Sequence, residues 1–260
     1  MTKILLLLLL LFPLSMLAQD NWESINTDRP GEGTDSPVLL PVGAVQLENG
    51  LFYQSDRTAA DVSNKMLLLP TGLVRLGILK HLEFRVGYGF IDQEITGHQE
   101  GFSAAGFDAF SMGAKIFISE QNGLLPQLAL ITSFTLPETG AETFQSSYLA
   151  PTIRLLAGHG VNDWLTITTN FDVNWDQELT EAIIGYAISF DLSFTEKIGG
   201  FAEFYGYLPE SSASEHLFNA GLVYLLNNDL QLDTSAGFAF SEEAPDYFLS
   251  LGLSYRFKLF

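Results

Sequence analysis

The groups in this chain able to do chemistry are few and scattered. Its four histidines, His81, His98, His159 and His216, lie at or near connections far apart along the sequence. A hydrolytic nucleophile needs a Ser or Asp beside a histidine base that a third group orients. Only His216, preceded by Ser211, Ser212 and Ser214, offers such a neighbourhood. There is no G-x-S-x-G (GFSAAG at 101–106 has the wrong spacing), no H-E-x-x-H and no P-loop. His216 therefore reads as a solvated rim histidine. Carboxylates gather in the connections, among them Asp176, Glu178, Glu181, Glu242, Glu243 and Asp246. Such oxygen ligands suit calcium or magnesium, but no run has EF-hand spacing, so they read as a hydrated acidic rim. No catalytic residue, cofactor or metal ligand is assigned.

A second set of ionisable residues lies inside the regular segments: Glu48, Arg75, Glu83, Arg85, Lys115, Arg154, Asp172, Asp191, Glu203, Asp233 and Arg256. Each falls on the less apolar parity of a stretch that alternates with a period of two, the mark of a β-strand with unlike faces. In one such stretch Leu165, Ile167, Phe171, Val173 and Trp175 alternate with Thr166, Thr168, Asn170, Asp172 and Asn174. The alternation predicts twelve strands, near 43–55, 66–78, 82–91, 107–119, 124–136, 147–158, 164–175, 182–194, 199–208, 216–226, 229–240 and 247–259. Connections after the even strands are short, such as LKH and NN. Those after the odd strands are mostly longer and acidic, such as DQEITGHQEGFSAAG.

Long strands, nearly unbroken apolar faces and alternating tight and long turns are what a transmembrane barrel shows, with grease turned to lipid and polar groups to the lumen. Rings at the strand ends suit the two lipid–water interfaces: Tyr53, Tyr88, Phe90, Phe134, Trp175, Tyr207, Phe240 and Tyr247 toward the long loops, and Trp164, Tyr224, Tyr255 and Phe257 toward the short turns. The expected fold is an all-β antiparallel transmembrane barrel of about 12 strands, with short periplasmic turns and longer acidic extracellular loops.

The address agrees. Lys3, the apolar run Ile4–Phe12 and then Leu17-Ala18 read as a secretory leader spanning 1–18, cut near Ala18–Gln19. The formal charge of −19 becomes −20 once Lys3 leaves with it, which excludes a free-standing nucleic-acid binder. Cysteine is absent, so no disulfide staples the fold. The closing stretch YFLSLGLSYRF alternates up to Phe257, and its pattern resembles the C-terminal signal read by bacterial barrel-assembly machinery. KLF then follows, which departs from that pattern.

Residues 19–42 are irregular and contain TDRPGEGTDSP, followed by the barrel at 43–260. Arg29 is one of few cations there, and Glu48, Glu83, Asp191, Glu203 and Asp233 face the predicted lumen. Residues 21–41 read either as a partial plug with Arg29 on one of those carboxylates, or as a flexible tail. Inward glycines, among them Gly185, Gly237 and Gly252, should leave space, while Pro70 and Pro151 each remove a ladder donor and mark bulges or bends.

Thr27-Asp28-Arg29-Pro30, Thr34, Ser36-Pro37, Pro41-Val42-Gly43, Gln46, Glu48 and Gly50 resemble the start of a bacterial outer-membrane family, the "MetA-pathway of phenol degradation" transporter-like barrels. GEG separates Pro30 from Thr34, and Leu40 stands where Val is common. The resemblance implies a Gram-negative outer-membrane barrel that moves small, aromatic or apolar compounds, and it supplies no catalytic residues. The leading reading is passive passage of a small solute. The alternative is a structural or surface-interaction barrel with a closed lumen, and a barrel hydrolase is a distant third. The expected partners are outer-membrane lipid and lipopolysaccharide, the barrel-assembly machinery and the solute.

Overall fold

A computed structural model describes residues 22–57, 62–97, 101–175, 181–241 and 244–260. The leader at 1–18 and His98, Asp176, Glu178, Glu242 and Glu243 lie outside the described residues. Thirteen strands follow one another: β1 (Ala44–Arg57), β2 (Ser63–Leu79), β3 (Leu82–Thr96), β4 (Phe102–Phe107), β5 (Ser111–Ser119), β6 (Gln127–Thr135), β7 (Ala150–Asn162), β8 (Leu165–Trp175), β9 (Ala182–Ser193), β10 (Ile198–Leu208), β11 (Glu215–Asn227), β12 (Leu230–Ala239) and β13 (Tyr247–Lys258). Strands adjacent in the sheet pair antiparallel, β3 with both β4 and β5, and β1 pairs with both β2 and β13, so the sheet closes.

The closed barrel has 12 staves because β4 and β5 share one. The single strand expected at 107–119 is therefore two. The outer half of β3 pairs with β4 and its inner half with β5. The chain steps between them where Ala109 turns its N–H to Phe144 O (3.2 Å) instead of the ladder. A second irregularity sits at Pro70, where the β1–β2 and β2–β3 registers both shift because proline has no N–H to donate. Pro151 causes no such break: it pairs with Phe134 in unbroken register near the start of β7, so no bulge marks it.

The burial pattern separates a lipid barrel from a soluble sandwich, which parity alone cannot do. Fully or nearly buried side chains include Gln46, Glu48, Arg75, Glu83, Lys115, Asn170, Glu203 and Asn219, whereas Phe171, Ile184, Phe204, Leu222, Leu249 and Leu251 are exposed. Polar groups point in and apolar groups point out, the inverse of a water-soluble protein. Tyr207 departs from its expected place in the rim. It lies on the inward parity of β10 with Glu203 and Tyr205, and packs against a lumenal cluster of Tyr205, Leu217, Ala244 and Phe248. The inward glycines also do not leave open space. A Cβ on Gly237 would lie 2.0 Å from the Phe248 ring and one on Gly185 2.4 Å from the Asp172 carboxylate, so neighbouring side chains fill the gaps.

Candidate functional site

The inward register of the first strands sets up a charge problem. Arg75 on β2 lies directly across from Arg85 on β3, a like-charged pair, whereas Lys115 on β5 lies across from Glu83 on β3 and opposes it in charge. Like charges at paired positions repel, the more so away from bulk water. Part of the answer is in the wall. Arg75 donates to Glu83 through Nε (2.7 Å) and Nη2 (2.9 Å), and to Glu48 through Nη1 (2.9 Å).

The rest comes from residues 22–42, which run inside the barrel before Gly43 turns the chain into β1 with a φ of 83°. Asp28 accepts from Arg85 Nη1 (2.5 Å) and from Lys115 Nζ (3.1 and 3.2 Å), and lies 3.6 Å from Arg75 Nη1. Burial pushes its carboxyl up, but the combined charges of Arg75, Lys115 and Arg85 outweigh that and hold it well below the usual carboxylate range. Asp35 pairs with Arg85 Nη2 (3.0 Å) and with Arg154, which also faces Asp172 (3.3 Å). Lys115 Nζ donates to Ser36 O (2.7 Å), Arg75 Nη2 to Val38 O (3.1 Å), and Leu40 N–H to Glu83 (3.0 Å).

On the far wall the contact is of another kind. Glu203 accepts from three successive backbone N–H groups, Glu32 (2.7 Å), Gly33 (3.3 Å) and Thr34 (3.2 Å), from the Thr34 hydroxyl (2.6 Å) and from Asn219 Nδ2 (2.9 Å). Arg29 Nη2 meets Asp233 (3.3 Å) and Ser250 Oγ (2.7 Å). Glu32 stays partly exposed, and its carboxyl is pushed up to about 8 by desolvation and by the nearby charges of Glu203 and Asp233, against the pull of Arg29.

The singled-out residues thus fall into groups. Asp28, Glu48, Arg75, Glu83, Arg85 and Lys115 form one ionic network, joined through Asp35 to Arg154 and Asp172. Arg29 with Asp233, and Glu203 with the turn at 32–34, are separate anchors. Asp191 joins neither: its oxygens take the Ser189 (2.6 Å) and Thr168 (2.7 Å) hydroxyls. Arg256 sits at the short-turn end on Asp229 (2.7 Å) and Glu23 O (2.6 Å). Asp35 was not singled out from the sequence. Its signal was there: Thr-Asp recurs seven residues after Thr27-Asp28 as Thr34-Asp35, each followed by a proline two residues on, and both aspartates reach Arg85.

The histidine neighbourhood does not assemble. His216 Nδ1 lies 2.7 Å from the Tyr186 hydroxyl, while Ser211 donates its N–H and its hydroxyl to Glu181, each at 2.5 Å. Among the described residues no three His, Cys, Asp or Glu side chains gather where they could hold a metal ion.

Two features of the lumen lie on either side of the segment. Gly33 packs on Tyr205, which belongs to the apolar cluster with Phe52, Leu217 and Phe248. On the other side a cavity of about 860 Å³ is bounded by Asn26, Pro37, Gln127, Thr168, Asp191 and Phe201.

A family model described as "Putative MetA-pathway of phenol degradation" matches residues 27–257. No curated protein matches the chain. Among solved structures, an outer membrane channel from Pseudomonas putida F1 superposes with a TM-score of 0.64 at 12% identity, covering 88% of this chain and 99% of that one. The β domain of the Bordetella autotransporter BrkA gives 0.56 at 10% identity, covering 83% and 99%. The translocator domain of the autotransporter NalP from Neisseria meningitidis gives 0.54 at 15% identity, covering 84% and 90%. At these identities the likeness is one of fold, and the fold they share is the outer-membrane barrel.

Proposed function

The chain belongs to the "Putative MetA-pathway of phenol degradation" family, and on that premise we propose that it is a passive outer-membrane channel for small solutes, held closed at rest by its own N-terminal segment. In this reading the leader is cleaved and the barrel sits in a Gram-negative outer membrane, surrounded by lipid and lipopolysaccharide. The short turns face the periplasm and the long loops face outward. It carries no enzymatic role.

One observation supports the closed state above others. Residues 28–40 are bonded to side chains of β1, β2, β3, β5, β7, β10, β12 and β13, so the segment crosses the lumen and is anchored around most of its circumference. Such charge-assisted bonds are reversible, and the charged wall left behind would be wettable. A barrel that served only as a wall would need no displaceable filling. The solute class we propose is small aromatic or apolar compounds. The family name points toward phenol breakdown, and the Phe52, Tyr205 and Phe248 cluster gives the lumen an apolar stretch beyond the charged one.

Planar-bilayer recording tests the reading. The mature chain should be nearly silent, and deletion of residues 21–36 or the milder Asp35→Asn should produce discrete conductance. Silence of all three correctly folded barrels would favour the structural alternative. Liposome swelling with phenol against a sugar of similar size would then test the solute class, and equal rates would remove it.

A further inference from the structure

A barrel closes where its first and last strands meet, and here the middle of that seam is bare. Gly50 on β1 pairs directly with Gly252 on β13, so this rung has no side chains to make cross-strand contact. Elsewhere strand neighbours meet through connections local in sequence, but the seam joins Ala44–Ser55 to Tyr247–Lys258, nearly the whole chain apart. It is therefore the pairing with the largest loop-closure cost.

The side chain that covers the rung comes from the segment before β1. A Cβ on Gly50 would lie 2.4 Å from Arg29 Cζ, with Nη1 and Nη2 within 2.6 Å, and one on Gly252 would meet both Arg29 Nε (2.4 Å) and the Asp233 carboxylate (2.3 Å), so the Arg29–Asp233 pair covers the rung, with the guanidinium over Gly50. The same group is bonded to Ser250 on β13 and Asp233 on β12, while the Asp28 and Arg29 N–H groups donate to Glu48 on β1 (3.0 and 3.2 Å). Neighbouring contacts repeat this straddle. Gln46 on β1 donates to Asn26 O (2.8 Å), and Gln231 on β12 donates to the Thr27 hydroxyl (2.8 Å). Arg256 on β13 donates to Glu23 O and stacks over Trp22 at 5.3 Å.

We propose that residues 22–29 have a function separate from occlusion: they form a clamp across the closing seam, with Arg29 as its positioning residue. The segment is covalently continuous with β1 and carries the donors and acceptors that β12 and β13 present. It thereby holds the last two strands beside the first while their ladder forms. A side chain at Gly50 would displace the guanidinium, and one at Gly252 would displace it together with the Asp233 carboxylate.

A double-mutant cycle tests the clamp in the full mature chain. The readouts are the rate of refolding from urea into lipid vesicles, followed by the heat-modifiable gel shift of the closed barrel, and the urea midpoint. Arg29→Ala and Gly50→Ala should each slow closure by about threefold or more and lower the midpoint. The double variant should be no worse than Arg29→Ala alone, because the alanine methyl harms only by displacing the guanidinium. Thr34→Val, which loosens the segment on the far wall, should close at the parental rate. If Arg29→Ala does not fold, Arg29→Gln takes its place in the cycle. Additive losses, or an Arg29 variant that closes normally, would overturn the clamp. Failure of the occlusion reading would appear elsewhere, as conductance unmoved by Asp35→Asn, and would leave this cycle untouched.

Discussion

Thr34 donates to Glu203 twice, through its N–H at 3.2 Å and its hydroxyl at 2.6 Å. The two residues are 169 positions apart, and the pair fixes the tip of the N-terminal segment to the wall opposite the charged cluster. Glu203 is completely buried, so its charge depends on these donors for compensation.

Removing that compensation should free the tip. Glu203→Gln keeps the shape but lacks the charge that draws three N–H groups, and Thr34→Val deletes the hydroxyl donor. Each should raise the open fraction in bilayer recordings, by roughly the tenfold that loss of one charge-assisted bond implies, with Glu203→Gln the stronger. An unchanged record for both would show that the tip is not what closes the lumen.

The strands themselves were legible because period-two alternation is a direct image of a sheet with two environments. Arg29 meets Asp233, one of the five carboxylates the sequence offered it, since cations are few and the inward parity was readable. Glu203's partners were not legible: they are backbone N–H groups, which every residue has. The β4–β5 step was hidden because it depends on where Phe144, in a distant loop, places its carbonyl. Tyr207 misled because a tyrosine near a strand end suits either a lipid interface or a lumen, and only register decides.

Orientation can be checked with arginine. Leu251 is 57% exposed on the lipid side of β13, and Ser189 is buried on the inner side of β9, hydrogen-bonded to Asp191. Leu251→Arg should cost about 2–4 kcal/mol near mid-bilayer or block insertion. Ser189→Arg can pair with Asp191 toward the cavity and should be milder in the same vesicle-folding titration. Equal damage would argue against lipid on the outside.

Closure should weaken with alkali. Docked in the lumen, Glu32 titrates at about 8, whereas in water its carboxyl has the ordinary value of 4.5. The docked segment therefore holds a proton that the displaced one releases. Its advantage is full below about 4.5 and is lost as pH rises through about 8. Asp28, held low, stays ionised throughout this window and contributes no slope. Conductance should rise from about pH 5 to about pH 9, across most of that window and just beyond its upper end, and Glu32→Gln should flatten the profile.

Ion preference should follow the same groups. Carboxylates at the outer mouth, among them Glu138, Glu142, Glu210 and Asp246, concentrate counter-ions within a Debye length of about 8–10 Å. Thr34→Val should thus conduct with a cation preference that fades as salt rises. Deleting residues 21–36 also removes Asp28, Glu32 and Asp35, leaving Arg85, Lys115 and Arg154 without those partners. Reversal potentials under a salt gradient should shift toward anions relative to Thr34→Val, and a shift the other way would contradict the network.

Residues 22–42 carry four carboxylates and one guanidinium and join the barrel covalently through Gly43. On the proposed occlusion reading, a net-negative arm hinged at one mouth should respond to a transmembrane field. Carrying one charge through a full transmembrane field is worth about 2.3 kcal/mol per 100 mV. A positive potential on the hinge side draws the arm out of the barrel, and the opposite polarity seats it more firmly. If the segment is the element that closes the channel, current should rectify, with a polarity set by which end of the barrel the chain enters.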